Sequence, residues 1–268
     1  MKKAETILVL PAAGRAVRMG GIAKELLPFG QRLAGGRMVP SPVLAEALEA
    51  GIEAGAERCL VVTSSSKAAS LMQAISGLDI PLPVSYLHQN EPAGLAWAVE
   101  CARAHVPAGD IALMLMPDTV MRPTGVIAKV TGAVKAGALV CASLFRVAHP
   151  KQFGVAEFDS AGSVVGFIDK PEFPASNWIW TSIAFRTGFF AYIEKALALG
   201  LDLSGALDLA AKDGTLAIEV AHGGCYWDLG TYDGYLRALN TAAVRRSNDT
   251  DGSGFSVAAE PAAPMIVA

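Results

Sequence analysis

Thr6-Ile7-Leu8-Val9-Leu10 runs directly into Pro11-Ala12-Ala13-Gly14-Arg15-Ala16-Val17-Arg18-Met19-Gly20-Gly21. The first five residues form an apolar run of strand length, and the rest is a loop rich in small residues. A Gly-containing loop that follows a strand can turn backbone N–H groups toward phosphate oxygens. Small residues at Ala12, Ala13, Gly14 and Ala16 let a ligand approach the main chain. Arg18 and Lys24 add positive charge, which a polyphosphate needs and a neutral ligand does not. On local composition alone, a plain glycine turn with a solvated Arg and Lys is the competing reading. Two common phosphate motifs are absent. The loop has no Gly-Lys pair for a P-loop, and Ala16 replaces the second glycine of a dinucleotide fingerprint.

Working outward, apolar runs alternate with helix-period segments. Residues 43–54 place apolar side chains at 43, 44, 47, 48 and 52, one face of a helix. Strands are expected at 59–63, 84–87 and 111–116, and helices at 70–75 and 95–105. A further buried strand lies within 136–145. Strands apolar on both faces imply a mostly parallel sheet covered by helices, an α/β three-layer fold of Rossmann-like kind. After about residue 145 the rhythm changes. Residues 154–158 and 163–168, separated by Asp159-Ser160-Ala161-Gly162, predict a β-hairpin. A strand at 178–185, a helix at 189–199, a strand at 216–221 and a closing helix at 232–246 complete the domain. Residues 247–254 have linker composition, and 255–268 form a tail.

The 268 residues are 52% hydrophobic and 18% charged, which excludes a disordered chain. A net charge of −3 argues against a nucleic-acid partner held through phosphates. No apolar run reaches the roughly 18 residues a membrane span needs. The apolar start resembles a signal peptide only superficially, since Glu5 sits in its basic region. Cys59, Cys101, Cys141 and Cys225 are scattered and suit a reduced, cytoplasmic protein. His88, His105, His149 and His222 form no ligand-like cluster.

The stretch L-P-A-A-G-R-A-V-R-M-G-G-I-A-K-E-L-L-P-F-G resembles the opening of the sugar-phosphate nucleotidyltransferases, glucose-1-phosphate thymidylyl- and uridylyltransferases among them. Its glycine loop is closer to the molybdenum-cofactor guanylyltransferase version, whereas Lys24-Glu25-Leu26-Leu27-Pro28 resembles the sugar-phosphate enzymes. Most sugar-phosphate members have a glycine where Ala16 stands. The similarity extends from about residue 6 to 240. His88-Gln89-Asn90-Glu91-Pro92-Ala93-Gly94 resembles the family's base-reading turn, with Gln89 and Gly94 facing uracil or thymine. Asp118, directly after an apolar strand, matches a position that binds Mg²⁺ in the family. Asp228, within Tyr226-Trp227-Asp228-Leu229-Gly230-Thr231, matches the second metal carboxylate. Phe153-Gly154-Val155 and Phe167-Ile168-Asp169-Lys170-Pro171 resemble segments that meet the sugar phosphate, with Asp169 one methylene shorter than the usual Glu. Thr181-Ser182 stands where the family has Thr-Gly on the strand that closes over the sugar. Trp178 and Trp180 point the same way on that strand, and are assigned to the core.

The resemblance implies a nucleotide-diphospho-sugar transferase-like fold in one domain, residues 1–246. Residues 1–125 would bind nucleotide and 145–240 the acceptor, with an inserted hairpin region. The implied reaction joins a nucleoside monophosphate, from UTP or dTTP, to a sugar 1-phosphate. Arg18, Lys24, Asp118 and Asp228 would act in catalysis, with Mg²⁺ on the two aspartates. Ala12, Ala13, Gly14, Gln89 and Gly94 would bind nucleotide, and Gly154, Asp169, Lys170 and Thr181 the sugar phosphate. The alternatives are a non-sugar acceptor (alditol phosphate, phosphocholine-like or pterin) and a non-catalytic nucleotide-sugar-binding regulator. Relatives often form dimers or tetramers, which leaves a homo-oligomer open, while the sequence itself gives no oligomeric state.

Overall fold

The computed structural model describes residues 3–91 and 93–249. The apolar run at the N-terminus forms β1 (Thr6–Pro11), and its loop leads to a β-hairpin of β2 (Pro28–Ala34) and β3 (Arg37–Pro42). Then follow α1 (Leu44–Glu53), β4 (Arg58–Thr63), α2 (Ala68–Ser76), β5 (Val84–His88) and α3 (Leu95–Glu100). Next come β6 (Ile111–Met114), β7 (Thr119–Arg122), α4 (Gly125–Lys135) and β8 (Val140–Arg146). The second half contains β9 (Gly154–Phe158), β10 (Val164–Asp169), β11 (Trp178–Arg186), α5 (Phe190–Ala198) and α6 (Leu203–Lys212). It ends with β12 (Leu216–Val220), β13 (Cys225–Asp228) and α7 (Tyr232–Asp249).

In the main sheet β5, β4, β1 and β6 lie side by side and parallel, and β11 then pairs antiparallel with β6. Across its other edge β11 pairs with β8, which carries β12 in parallel. The hairpin of β9 and β10 joins the start of β11, where Ile179 faces Val155. Alternation along β1 separates the core into two layers. Ile7 and Val9 face one layer with Phe185 and Leu207, and Leu8 and Leu10 face the other with Leu48 and Ile127. Both faces of β1 are fully covered, as expected for a parallel strand. All four cysteines are free thiols, and burial pushes Cys59 and Cys141 up to about 12.

Several expectations are corrected. The hairpin of β2 and β3, and helices α4 and α6, were not anticipated from sequence, because their apolar residues lie in short, Gly-interrupted runs. The helix expected over 95–105 ends at Glu100, and a separate 3-10 turn covers Arg103–His105. The closing helix continues through Asp249, three residues into the expected linker. The rest of that linker and the tail, residues 250–268, lie outside the described residues. The most consequential omission is a second small sheet. β13 pairs antiparallel with β7, setting Asp228 opposite Thr119. No described helix is long and apolar enough to cross a membrane.

Candidate active site

Because β1, β4, β5 and β6 are parallel, their carboxyl ends share one sheet edge, the usual ligand edge of an open α/β fold. The glycine loop, residues 64–67, Gln89 and Asp118 therefore converge although they are far apart in sequence. The β7–β13 register then brings Asp228 beside Asp118. Lys24 completes the group through an ion pair with Asp118 Oδ2.

Asp118 is almost fully buried, and its Oδ1 has no hydrogen-bond partner among the described residues. A buried acceptor without a donor is costly, so this oxygen is an open coordination position. Asp228 Oδ1 accepts the Gly230 N–H at 2.7 Å. Burial raises the Asp228 pKa, and the charge of Asp118 raises it further, against the pull of Gly230, Lys24 and Arg18. Burial alone would lower Lys24, but Asp118, Asp228 and Glu25 outweigh it and leave it raised. Tyr226 is pushed well above its ordinary value by burial and by the same two carboxylates. Among the described residues no cluster of three or more His, Cys, Asp or Glu could hold a metal. Two carboxylates with one free oxygen suit a hard cation that takes its other ligands from phosphates and water. The residues fit such a group.

Arg18, Lys24, Asp118 and Asp228 line one cavity of about 340 Å³ together with Gly94, Gly154, Asp169 and Lys170. Across it from the aspartates, Trp180 Nε1 donates to Ser204 Oγ at 2.9 Å, and Ser204 Oγ donates to Asp169 Oδ1 at 3.1 Å. Lys170 Nζ donates to the other oxygen of Asp169 at 3.0 Å. Gly154 is required here: a Cβ would lie 2.0 Å from Trp180 Nε1 and 2.4 Å from Ser204 Oγ. Arg18 Nη1 donates to Gln152 Oε1 at 3.1 Å, linking the glycine loop to the turn that precedes β9.

Ala12 and Ala13 are buried at the end of β1, Gly14 is exposed, and none of the three lines the cavity with a side chain. The N–H groups of Ala13, Gly14, Arg15 and Ala16 donate to no backbone carbonyl among the described residues. Gln89 is buried just past the end of β5, with its N–H on Thr63 O at 2.8 Å, and its side chain does not line the cavity. Thr181 is not brought into the site. Its hydroxyl pairs with Ser143 Oγ at 2.8 Å on the other face of β11. Trp180 packs against the core as expected from sequence, and its edge also lines the cavity. Strand alternation shows why, since residues 180 and 181 face opposite sides.

Sequence reasoning also missed Asp202, Ser204 and the Lys67–Glu25 pair. Asp202 accepts the N–H groups of Leu95 (3.2 Å) and Ala96 (2.6 Å), so a residue from the start of α6 caps α3. Asp202 stands at the N-cap position of α6 but makes no side-chain cap there, so its role at α3 had no local signal. Lys67 and Glu25 carried no local signal.

The family model described as nucleotidyl transferase matches residues 14–244. A glucose-1-phosphate thymidylyltransferase of Mycolicibacterium smegmatis is 28% identical over 241 residues, covering 86% of this chain and 80% of that one. The enzyme of the same name from Neisseria meningitidis is 28% identical, with 87% and 81% covered. Among solved structures, a UDP-glucose pyrophosphorylase complexed with UDP-glucose superposes with a TM-score of 0.72 at 19% identity, covering 91% of this chain and 100% of that one. A UTP-bound UGPase from Acinetobacter baumannii superposes with a TM-score of 0.71 at 18% identity, with 90% and 94% covered. These likenesses establish the fold.

Proposed function

Since the chain belongs to the nucleotidyl transferase family, we propose that it is a Mg²⁺-dependent enzyme that joins a nucleoside monophosphate, from UTP or dTTP, to a sugar 1-phosphate and releases pyrophosphate. The observation that carries this reading is the Oδ1 of Asp118, without a hydrogen-bond partner among the described residues, beside Asp228 and Lys24, in the same cavity as Asp169 and Lys170.

Asp118 and Asp228 would hold the Mg²⁺, which when bound neutralises charge on the phosphate oxygens. Lys170 binds the acceptor phosphate, whose oxygen attacks the α-phosphorus of the nucleotide. As that P–O bond forms, the bond from the α-phosphorus to the bridging oxygen breaks and pyrophosphate leaves with the electron pair. Arg18 binds the departing phosphates, and Lys24 offsets charge near the α-phosphate. The free N–H groups of Ala13 to Ala16 receive phosphate oxygens, and Gln89 and Gly94 meet the base. No covalent intermediate is needed, so catalysis rests on positioning and electrostatic stabilisation. Trp180, Ser204 and Asp169 fix the acceptor wall, with Asp169 accepting sugar hydroxyls.

The second reading, a larger non-sugar phosphorylated acceptor, is favoured by one feature. The cavity continues past Gln152, Phe153 and Tyr226 into a groove of about 700 Å³ that Arg146, Trp227 and Arg237 also line. Pyrophosphate release, measured with UTP, dTTP, CTP and GTP against sugar 1-phosphates, alditol phosphates and phosphocholine with Mg²⁺, tests both. Turnover with a pyrimidine nucleotide and a sugar 1-phosphate is expected. Turnover confined to a non-sugar acceptor would select the second reading. Nucleotide binding with no turnover anywhere would overturn both in favour of a non-catalytic binder.

A further inference from the structure

Lys67 and Glu25 are both buried, yet neither touches the cavity. Lys67 Nζ donates to Glu25 Oε1 at 2.8 Å, to Glu25 Oε2 at 3.1 Å and to Ala12 O at 3.3 Å. The ammonium therefore has an acceptor for each of its three hydrogens. An ion pair taken out of water recovers about what its desolvation costs, and apolar residues of similar volume usually serve stability as well. Stability alone is thus a weak reason for its presence, and what the pair connects is more informative.

It joins three chain segments. Lys67 immediately precedes α2, Glu25 lies in the 3-10 turn Lys24–Leu26, and Ala12 follows β1. In a 3-10 turn, successive side chains point about 120° apart. Anchoring Glu25 inward therefore fixes the direction in which Lys24 leaves the same turn, toward Asp118. The second link acts on the loop. In a planar trans peptide the C=O and the following N–H point in opposite directions. Holding Ala12 O on Lys67 therefore turns the Ala13 N–H away from Lys67, and that N–H donates to no backbone carbonyl among the described residues. The Ala12 N–H is itself held by Val62 O at 2.7 Å, so this end of β1 is fixed on both sides.

We infer that Lys67 is a positioning residue for nucleotidyl transfer, setting Lys24 through Glu25 and the first phosphate-facing peptide of the glycine loop through Ala12. This rests on the proposed reaction, because it assigns Lys24 and the loop to the nucleotide phosphates.

The test is the paired variant Lys67→Met/Glu25→Gln, which removes both charges and leaves no buried ion alone. Thermal unfolding, dTTP binding by calorimetry, and kcat and KM with dTTP and glucose 1-phosphate are measured on the same samples. The expected result is a Tm within about 3 °C of wild type. Binding of dTTP should weaken about tenfold or more, with kcat reduced by at least the same factor and the acceptor KM within twofold. Wild-type dTTP affinity and kcat in the folded double variant would overturn the proposal. So would an activity loss that disappears once assays are run well below a lowered Tm. If that variant does not fold, Lys67→Gln/Glu25→Gln, a neutral polar pair that likewise strands no charge, should show the same pattern at smaller amplitude; unchanged dTTP affinity there counts against the proposal. A wild-type protein that binds dTTP but turns over no acceptor would defeat the proposed reaction, while the calorimetry would still test Lys67.

Discussion

Asp228 holds a carboxylate where the resting fold disfavours its charge. Burial and the neighbouring Asp118 raise its pKa, so its ionised form is less welcome in the folded than in the unfolded chain. The sign follows directly. Below the unfolded value of about 4 the group is protonated in both states and costs nothing, and stability is lost as pH rises through the folded pKa. Asp228→Asn should therefore raise the metal-free Tm at pH 7, with the gain shrinking toward zero near pH 4. The same variant should lose about 10²- to 10³-fold in kcat. Thermal melts from pH 4 to 8, with and without Mg²⁺, check this; a lower Tm at pH 7 would contradict it. At this scale much of the candidate site was legible. Arg18, Lys24, Asp118, Lys170 and Asp228 stand in motifs that keep chemistry in a short window, and the fold gathers all five into one cavity. Thr181 was misplaced because a motif match does not say which face of a strand a residue occupies. Lys67 and Glu25, 42 positions apart, become partners only when β1 and β4 lie side by side.

At the scale of elements, the start of β9 and the middle of β11 are packed so tightly that only glycine fits between them. Gly154→Ala would drive a methyl group into the Trp180 indole and the Ser204 hydroxyl, both of which already hold each other. Either β9 moves or the Trp180–Ser204–Asp169 chain breaks. Overpacking of this kind typically costs about 1–3 kcal/mol, so the expected Tm loss is about 3–10 °C. The acceptor KM should rise tenfold or more while dTTP affinity stays within a few fold. Steady-state kinetics in both substrates checks the split, and an equal loss in both would show that the damage is general. The sequence reading found the β9–β10 hairpin because alternation and an Asp-Ser-Ala-Gly turn both signalled it. It missed β7 and β13, four-residue strands whose pairing is entirely non-local, with Cys225 opposite Arg122. Such a strand has too few residues to show a period, and its partner lies about a hundred positions away.

For the whole molecule, β11 ties the two halves together. Itself in the second half, it pairs with β6 of the first half along one edge and with β8 along the other. Its Phe185 lies in the same core layer as Ile7 and Val9. A sheet continuous through both halves should unfold cooperatively, so calorimetry should give a single transition that either nucleotide or sugar 1-phosphate shifts upward. Two resolved transitions, each answering to one ligand, would contradict this. The α/β class and parallel first half were legible because buried parallel strands are apolar on both faces. The reversal at β11 was not, since nothing in a strand's own sequence states its direction. The cap that Asp202 places on α3 has a further implication for recombination between relatives. Leu95 and Ala96 begin the helix behind the Gly94 turn, yet their N–H groups depend on a carboxylate from the far side of the chain. A chimera joined between the halves would separate that helix from its cap, so second-half segments can be exchanged cleanly only as pieces that carry an equivalent of Asp202 with them.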